Sequence, residues 1–279
     1  MSTKTMTIGA DPEFGFLKDG TLVIPNTVIS GGGGGEFGID GAGSVAELRP
    51  PHDDNPRGLV NNIQKVLAAG YKTHEGSQKL FWKAGDMAAD HPIGGHIHFG
   101  SPKLISNEML RINVTTALDR TVALVALMVA EPEEALNRRR GSGYGGVGNS
   151  RQQSWGMEYR VLGSWLTSPE EALAICSLAY LVAQYHEDKD IMDEACSLPA
   201  YNSNAFAECD KLQLLYYLPP IVDFLTKLPD WKKYEKDIIP IFRLIKARKL
   251  WAYDKNMVES WNVAEAASVK KAKKAEVYV

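Results

Sequence analysis

Four short stretches of this chain alternate apolar side chains with side chains that carry chemistry. In IGADPEFGF, Asp11 and Glu13 oppose Phe14 and Phe16; in VAELRP, Glu47 and Arg49 oppose Ala46 and Leu48. In GGHIHFG, His96 and His98 oppose Ile97 and Phe99, and in GMEYRVLG, Glu158 and Arg160 oppose Tyr159 and Val161. Successive side chains of a strand point to opposite faces, so each stretch predicts a strand with one packing face and one functional face. The KDG turn between EFGFLK and TLVIPNTVI predicts a hairpin.

Helical spacing appears elsewhere. NPRGLVNNIQKVLAAG predicts a helix closed by its glycine, and residues 107–130 predict a long one. From SPEEALAICSLAYLVAQYHED onward the pattern is helical almost to the end, with Ser168 and Glu171 forming a capping box. Five glycines at 31–35 predict a mobile loop, and RRRGSGYGGVGNSRQQSWG predicts a second loop dense in glycine and arginine. No internal repeat is present. Strands mixed with a few helices, then mostly helices, predict an α+β fold: an antiparallel β-sheet with a polar face, helices packed on the other face and a helical C-terminal region.

Composition narrows the class without naming it. With 44% hydrophobic and 23% charged residues, the chain is that of an ordinary globular protein. A net charge of -3 gives no global attraction to nucleic acid or to anionic membranes. The N-terminus has no apolar signal-like core, and the apolar run 121–130 is too short to span a bilayer. Cys176, Cys196 and Cys209 are odd in number and irregularly spaced, which fits thiols in a reducing cytoplasm better than a disulfide framework. Cytoplasmic localisation is the expectation; oligomeric state is not legible.

If the four strands share one sheet, its polar face collects four carboxylates, two imidazoles and two guanidiniums. Any single pair could be a solvated strand face or a surface ion pair. The four together lack the Lys, Thr, Ser and Gln of such faces. Carboxylates with histidine bind divalent cations, and hard oxygen donors favour Mg²⁺ or Mn²⁺. Arginines among acidic ligands fit a polyphosphate, whose charge metal and guanidinium neutralise together. The loop before the last strand adds Arg138, Arg139, Arg140 and Arg151, with glycines whose N–H groups can approach phosphate oxygens. GSGYGGVG lacks the strand-then-helix setting of a dinucleotide fingerprint and fits a phosphate-covering loop better. Two other classes compete. The HxH strand could serve a zinc-dependent hydrolase, although nothing in a zinc site calls for so many arginines. The same face could also belong to a non-catalytic nucleotide-binding protein. His52, His74, His91 and His186 are expected at the surface, and Trp155 and Trp165 in the core.

The order GxDxEF, GxDGxGxxAELRP, HIHFG, R…YGGxGxxR and GMEYR, over about residues 8–165, resembles the phage-encoded carboxylate–amine ligases. These are the second type of amidoligase in the superfamily of glutamine synthetase and glutamate–cysteine ligase. The resemblance implies a glutamine synthetase-like catalytic domain, taken as residues 1–265; the helical region from about 167 has no motif of the family and, with no linker before it, is expected as a subdomain, and 266–279 as a charged tail. It implies an ATP- and Mg²⁺- (or Mn²⁺-) dependent reaction in which a small-molecule carboxylate is phosphorylated and an amine displaces the phosphate. By the same resemblance Asp11, Glu13, Glu47, His96 or His98, and Glu158 ligate metal. Arg151, Arg160 and Glu47 are the catalytic candidates. The nucleotide-binding candidates are Arg49, Arg140, Tyr144, Gly145, Arg151 and Arg160.

Overall fold

The computed structural model describes residues 6–30, 34–188 and 202–268. Eleven strands appear among them: β1 (Thr7–Ala10), β2 (Glu13–Lys18), β3 (Thr21–Val23), β4 (Phe37–Ile39), β5 (Ala46–Leu48), β6 (Phe81–Lys83), β7 (Met87–Ala88), β8 (His91–Pro92), β9 (Ile97–Gly100), β10 (Ser150–Gln153) and β11 (Gly156–Tyr159). The main helices of the first two thirds are α1 (Pro56–Thr73), α2 (Pro102–Ser106), α3 (Glu108–Leu118), α4 (Leu124–Val129), α5 (Pro132–Ser142) and α6 (Pro169–Asp188). Beyond them lie α7 (Ser203–Ala207), α8 (Lys211–Leu214), α9 (Leu218–Thr226), α10 (Trp231–Lys246) and α11 (Met257–Ser260). The fold is α+β, with antiparallel sheets and a helical C-terminal region.

The strands do not form the single sheet that their shared pattern predicts. One sheet has the order β1-β9-β11-β10; a second has the order β3-β2-β5-β4, with β6 also pairing β2; β7 and β8 make a small ribbon. The cause is local. Asp11 and Pro12 fall between β1 and β2, and proline has no N–H to offer a ladder, so the chain leaves one sheet there and enters the other. The predicted hairpin is β2–β3, turned by Asp19 and Gly20.

The apolar face of the first sheet carries Ile8, Ala10, Ile97, Phe99, Met157 and Tyr159, all buried, and α1 and α6 pack on its strands β1 and β9. Helix α1 begins at Asn55, whose side chain accepts from the Gly58 N–H at 2.9 Å, with Pro56 following. It runs past Gly70, which is not the closing residue. The Phe37 ring lies so close that a Cβ at Gly70 would stand 2.1 Å from it. At α6 the Glu171 N–H donates to Ser168 Oγ at 3.2 Å. The C-terminal helices join the same hydrophobic cluster, which runs from Met6 to Val263, and the Trp261 indole donates to the Leu166 carbonyl at 2.7 Å. Cys176 and Cys209 are buried free thiols. Cys196, the glycines at 31–33 and residues 269–279 lie outside the described residues.

Residues 108–129 are helical throughout, with a π turn at Asp119–Ala123 between α3 and α4. By length and composition this helix could cross a membrane, but most of it is buried inside the protein. The π turn presents Asp119, which accepts from Tyr159 Oη and from the Gly148 N–H, each at 2.7 Å. Asp119 thus ties the glycine-rich loop to the packed side of β11. Burial pushes its carboxyl up to about 6, outweighing the two hydrogen bonds. The folded state therefore binds a proton that the unfolded state releases, and this contribution to stability grows as pH falls from about 7 toward 4. Between pH 7.5 and 5.5 the gain should be about 1 kcal/mol. Urea melts of wild type and Asp119→Asn at both values test this: the variant should lack that increment, and an equal pH response in both proteins would refute it.

Candidate active site

In the first sheet, antiparallel register places Gly9 opposite His98, His98 opposite Glu158, and Glu158 opposite Arg151. These four positions share a face, with His96 and Arg160 one step along their strands. Glu158 sits at the centre and is 1% exposed. One of its oxygens accepts from Arg151, at 2.9 Å from Nε and 2.7 Å from Nη2, and from Gln153 Nε2 at 2.8 Å. The other lies 3.5 Å from both His96 Nδ1 and Arg160 Nε. Asp11, at the break between the sheets, holds both imidazoles through one oxygen, His96 Nδ1 at 3.2 Å and His98 Nε2 at 3.1 Å. Burial opposes its charge, but the hydrogen bonds and charges of the two histidines prevail and hold the carboxyl well below the usual range.

The second sheet supplies a separate acidic group. Glu13 pairs with Glu47 across β2 and β5, and Asp40 follows β4. Ligand atoms of Glu13, Asp40 and Glu47 all lie within 4.8 Å of one another, as do those of Asp11, His98 and Glu158. Burial raises the Glu13 carboxyl, partly offset by His96 and by the Gly94 N–H at 2.6 Å. Three clustered acids with few cations beside them are costly unless a cation joins them. Oxygen-rich triads of this kind suit hard divalent ions. The break at Asp11–Pro12 thus gives each triad one carboxylate from the same short segment.

The second triad and, from the first, Asp11 and Glu158 border one cleft, about 870 Å³ including its open mouth, lined by Asp11, Glu13, Asp40, Glu47, His96 and Glu158 together with Arg138, Tyr144, Arg151 and Arg160. Several expectations need correction here. Arg138–Arg140 are not in a loop but on the last turns of α5. Arg140 points away from the cleft and pairs with Glu208 at the surface, and the buried Arg138 lines the cleft instead. Arg138 donates to the carbonyls of Val161 and Leu162, each at 2.9 Å, and burial lowers its guanidinium to about 10. Its Nε has no protein partner. Gly145, at φ +80°, lies against it rather than in the cleft wall: a Cβ there would come within 2.4 Å of Nη1.

Arg49 and His98 border a second groove rather than the cleft itself, along with Trp155 and His52. Arg49 pairs with Glu47 and donates to the Ile39 carbonyl at 2.9 Å. Trp155 is partly exposed, not core, and packs on His98 with ring centroids 4.8 Å apart; Trp165 is buried. Of the histidines expected at the surface, His74 and His186 are buried, while His91 lines the cleft with its Nδ1 buried and unpaired. Asp40 and His91 are cleft residues missed as site candidates, and the sequence shows Arg138 only as one arginine of a phosphate-covering loop. Asp40 had a signal, as the second Asp of the ordered motifs.

Antiparallel sheets backed by helices, gathering carboxylates, imidazoles and guanidiniums over one cleft, make up the α+β fold of this chain. Solved structures share it at low identity. The ligase PafA in complex with the prokaryotic ubiquitin-like protein Pup aligns with a TM-score of 0.53 at 12% identity, covering 97% of this chain and 69% of that one. A bifunctional glutathione synthetase from Pasteurella multocida aligns with a TM-score of 0.52 at 14% identity, covering 95% of this chain and 52% of that one, so the chain spans about half its length. No curated protein matches the sequence. Residues 8–263 match the family described as phage phiEco32-like COOH.NH2 ligase-type 2, and the chain belongs to that family. It is a carboxylate–amine ligase, an amide-bond-forming enzyme.

Proposed function

We propose that the enzyme uses ATP with Mg²⁺ or Mn²⁺ to activate a small-molecule carboxylate as an acyl phosphate, which an amine then converts to an amide. The observation that supports this most is the pairing of two acidic triads with Arg138, Arg151 and Arg160 around one cleft. Asp11, His98 and Glu158 would hold one ion, and Glu13, Asp40 and Glu47 another. Bound divalent cations neutralise the triphosphate and let it approach an acidic wall. In the first step a carboxylate oxygen attacks the γ-phosphorus and the bond to the ADP oxygen breaks. In the second the amine attacks the acyl carbon, phosphate leaves with the C–O bonding pair, and the amine loses a proton. Arg151 and Arg160 hold the transferring phosphoryl group, and Arg138 adds fixed positive charge behind it. Tyr144, half-exposed at the cleft, covers the substrates.

A zinc hydrolase built on the HxH strand does not fit. Among the described residues, each candidate metal cluster holds at most one histidine, and the second holds none. A non-catalytic binder is superseded by membership of the ligase family. We place the enzyme in the cytoplasm, where ATP is available.

Two measurements test the reading. Calorimetry should show ATP binding weakened more than about tenfold by a chelator, because the unneutralised triads repel phosphate; equal affinity with and without chelator would refute metal-assisted binding. Hydroxylamine supplied as the amine, with Mg·ATP and pooled amino acid carboxylates, should give hydroxamate in step with ADP. Release of AMP and pyrophosphate would instead indicate an acyl adenylate.

A further inference from the structure

A second cavity lies beside the catalytic cleft and shares a wall with it. Val161 and Leu162 line this cavity, while their carbonyls hold Arg138, which lines the cleft. It is small, with about 30 Å³ open to the centres of water-sized spheres, and its walls are largely apolar, with Ala126 and Leu127 among them. Three polar groups that line it have buried atoms with no partner among the described residues: Ser164 Oγ, Trp251 Nε1 and Arg139 Nε. Ser164 is 1% exposed and Trp251 8%. Their backbones are fixed: Ser164 exchanges two hydrogen bonds with Gly85, at 2.7 and 3.0 Å, and the Trp251 N–H donates to the Val129 carbonyl at 2.8 Å.

An indole N–H and a guanidinium Nε–H can only donate, so only an acceptor satisfies them. Leaving such groups unpaired and buried is unfavourable. The opposite chemistry also lines the cavity. Glu131 is already engaged, accepting the Glu134 N–H at 2.6 Å, and Glu134 pairs with Lys83 at 2.8 Å. The buried Asp86 carboxylate has no ion pair within 4.0 Å among the described residues, the charges of Arg138 and Lys211 acting on it from farther off, so it can meet a further cation.

Donors beside a carboxylate, with a short apolar wall, match a small zwitterion. We propose that this cavity binds a small free α-amino acid. Its carboxylate accepts from Trp251, Arg139 and Ser164, its ammonium donates to Asp86, and a short side chain rests on Leu127 and Leu162. The site shares no donor with the catalytic cleft, so binding here does not depend on the nucleotide reading above.

Calorimetry on the full chain without ATP tests this, using L-alanine, glycine, ethylamine and propionate. Saturable binding of L-alanine or glycine is expected, with ethylamine and propionate at least tenfold weaker because each carries half of the recognised charge. Trp251→Phe should weaken alanine at least tenfold, and Arg160→Ala, which alters only the cleft, should leave it unchanged. If Trp251→Phe does not fold, Ser164→Ala carries the test, with several-fold weakening expected. Absence of saturable binding by both amino acids would mean that ordered water alone fills the cavity and would overturn the proposal. So would equal binding of ethylamine or propionate, alanine binding insensitive to both cavity variants, or loss of alanine binding in Arg160→Ala, which would locate it in the cleft.

Discussion

Glu158→Gln should lower turnover by at least about a thousandfold while the protein stays folded, whereas Glu158→Ala should lose stability as well. The difference follows from where this carboxylate sits. It is on the functional face of β11, yet it is 1% exposed because Arg151, Gln153, His96 and Arg160 close over it. Glutamine keeps the volume and one acceptor oxygen for Gln153 or Arg151, and it removes the negative charge that two guanidiniums face and that the proposed metal ion would require. Alanine leaves those cations facing one another across a void, and because water reaches Arg151, 55% exposed, and Arg160, 24% exposed, the loss should be about 1–3 kcal/mol. Circular dichroism melts and steady-state ADP release on both variants check this. Near-wild-type turnover in Glu158→Gln would remove Glu158 from the metal site, and an unchanged melting temperature in Glu158→Ala would show that the cations find other partners.

The two-residue period identified the right faces because it depends only on the alternation of neighbouring side chains. Glu158 and Arg160 do stand opposite the buried Tyr159, and His98 stands opposite Ile97 and Phe99 in orientation, as the pattern requires. Which strands pair is a long-range property, and periodicity carries no trace of it. The proline after Asp11 was the available sign that IGADPEF is two strands rather than one, since a proline is poorly tolerated inside a ladder. Arg138 was also within reach. In a helix over 132–142, Ala135 and Arg138 lie three apart on one face, and both are buried while Arg140 is turned to solvent. The glycines that follow drew the whole arginine run into a loop and hid that phase. Asp40 follows a three-residue strand, too short for any alternation to show. Its place beside Glu13 and Glu47 comes from cross-strand register alone.

Arg160 should separate phosphate chemistry from metal binding. Its side chain follows β11, is about one quarter exposed, and has its Nε 3.5 Å from Glu158, which leaves the guanidinium at the edge of the cleft. On the proposed reading, a fixed guanidinium there would stabilise charge that develops on the transferring phosphoryl group, an effect of about two to four orders of magnitude in rate for comparable groups. Arg160→Ala should therefore cut turnover about a thousandfold, and added Mg²⁺ or Mn²⁺ should not restore it, because the missing charge is not a metal ligand. Its stability should change by only about 1 kcal/mol, since the Glu158 oxygen it faces keeps His96 beside it. Arg160→Lys should also be poor, because an ammonium is a point charge and cannot offer two parallel N–H groups to a planar pair of phosphate oxygens. Turnover measured across a metal titration decides the matter. If excess metal rescues Arg160→Ala, the guanidinium acts only by positioning the Glu158 cluster; if lysine restores full rate, a single charge suffices and the two-pronged contact is not made.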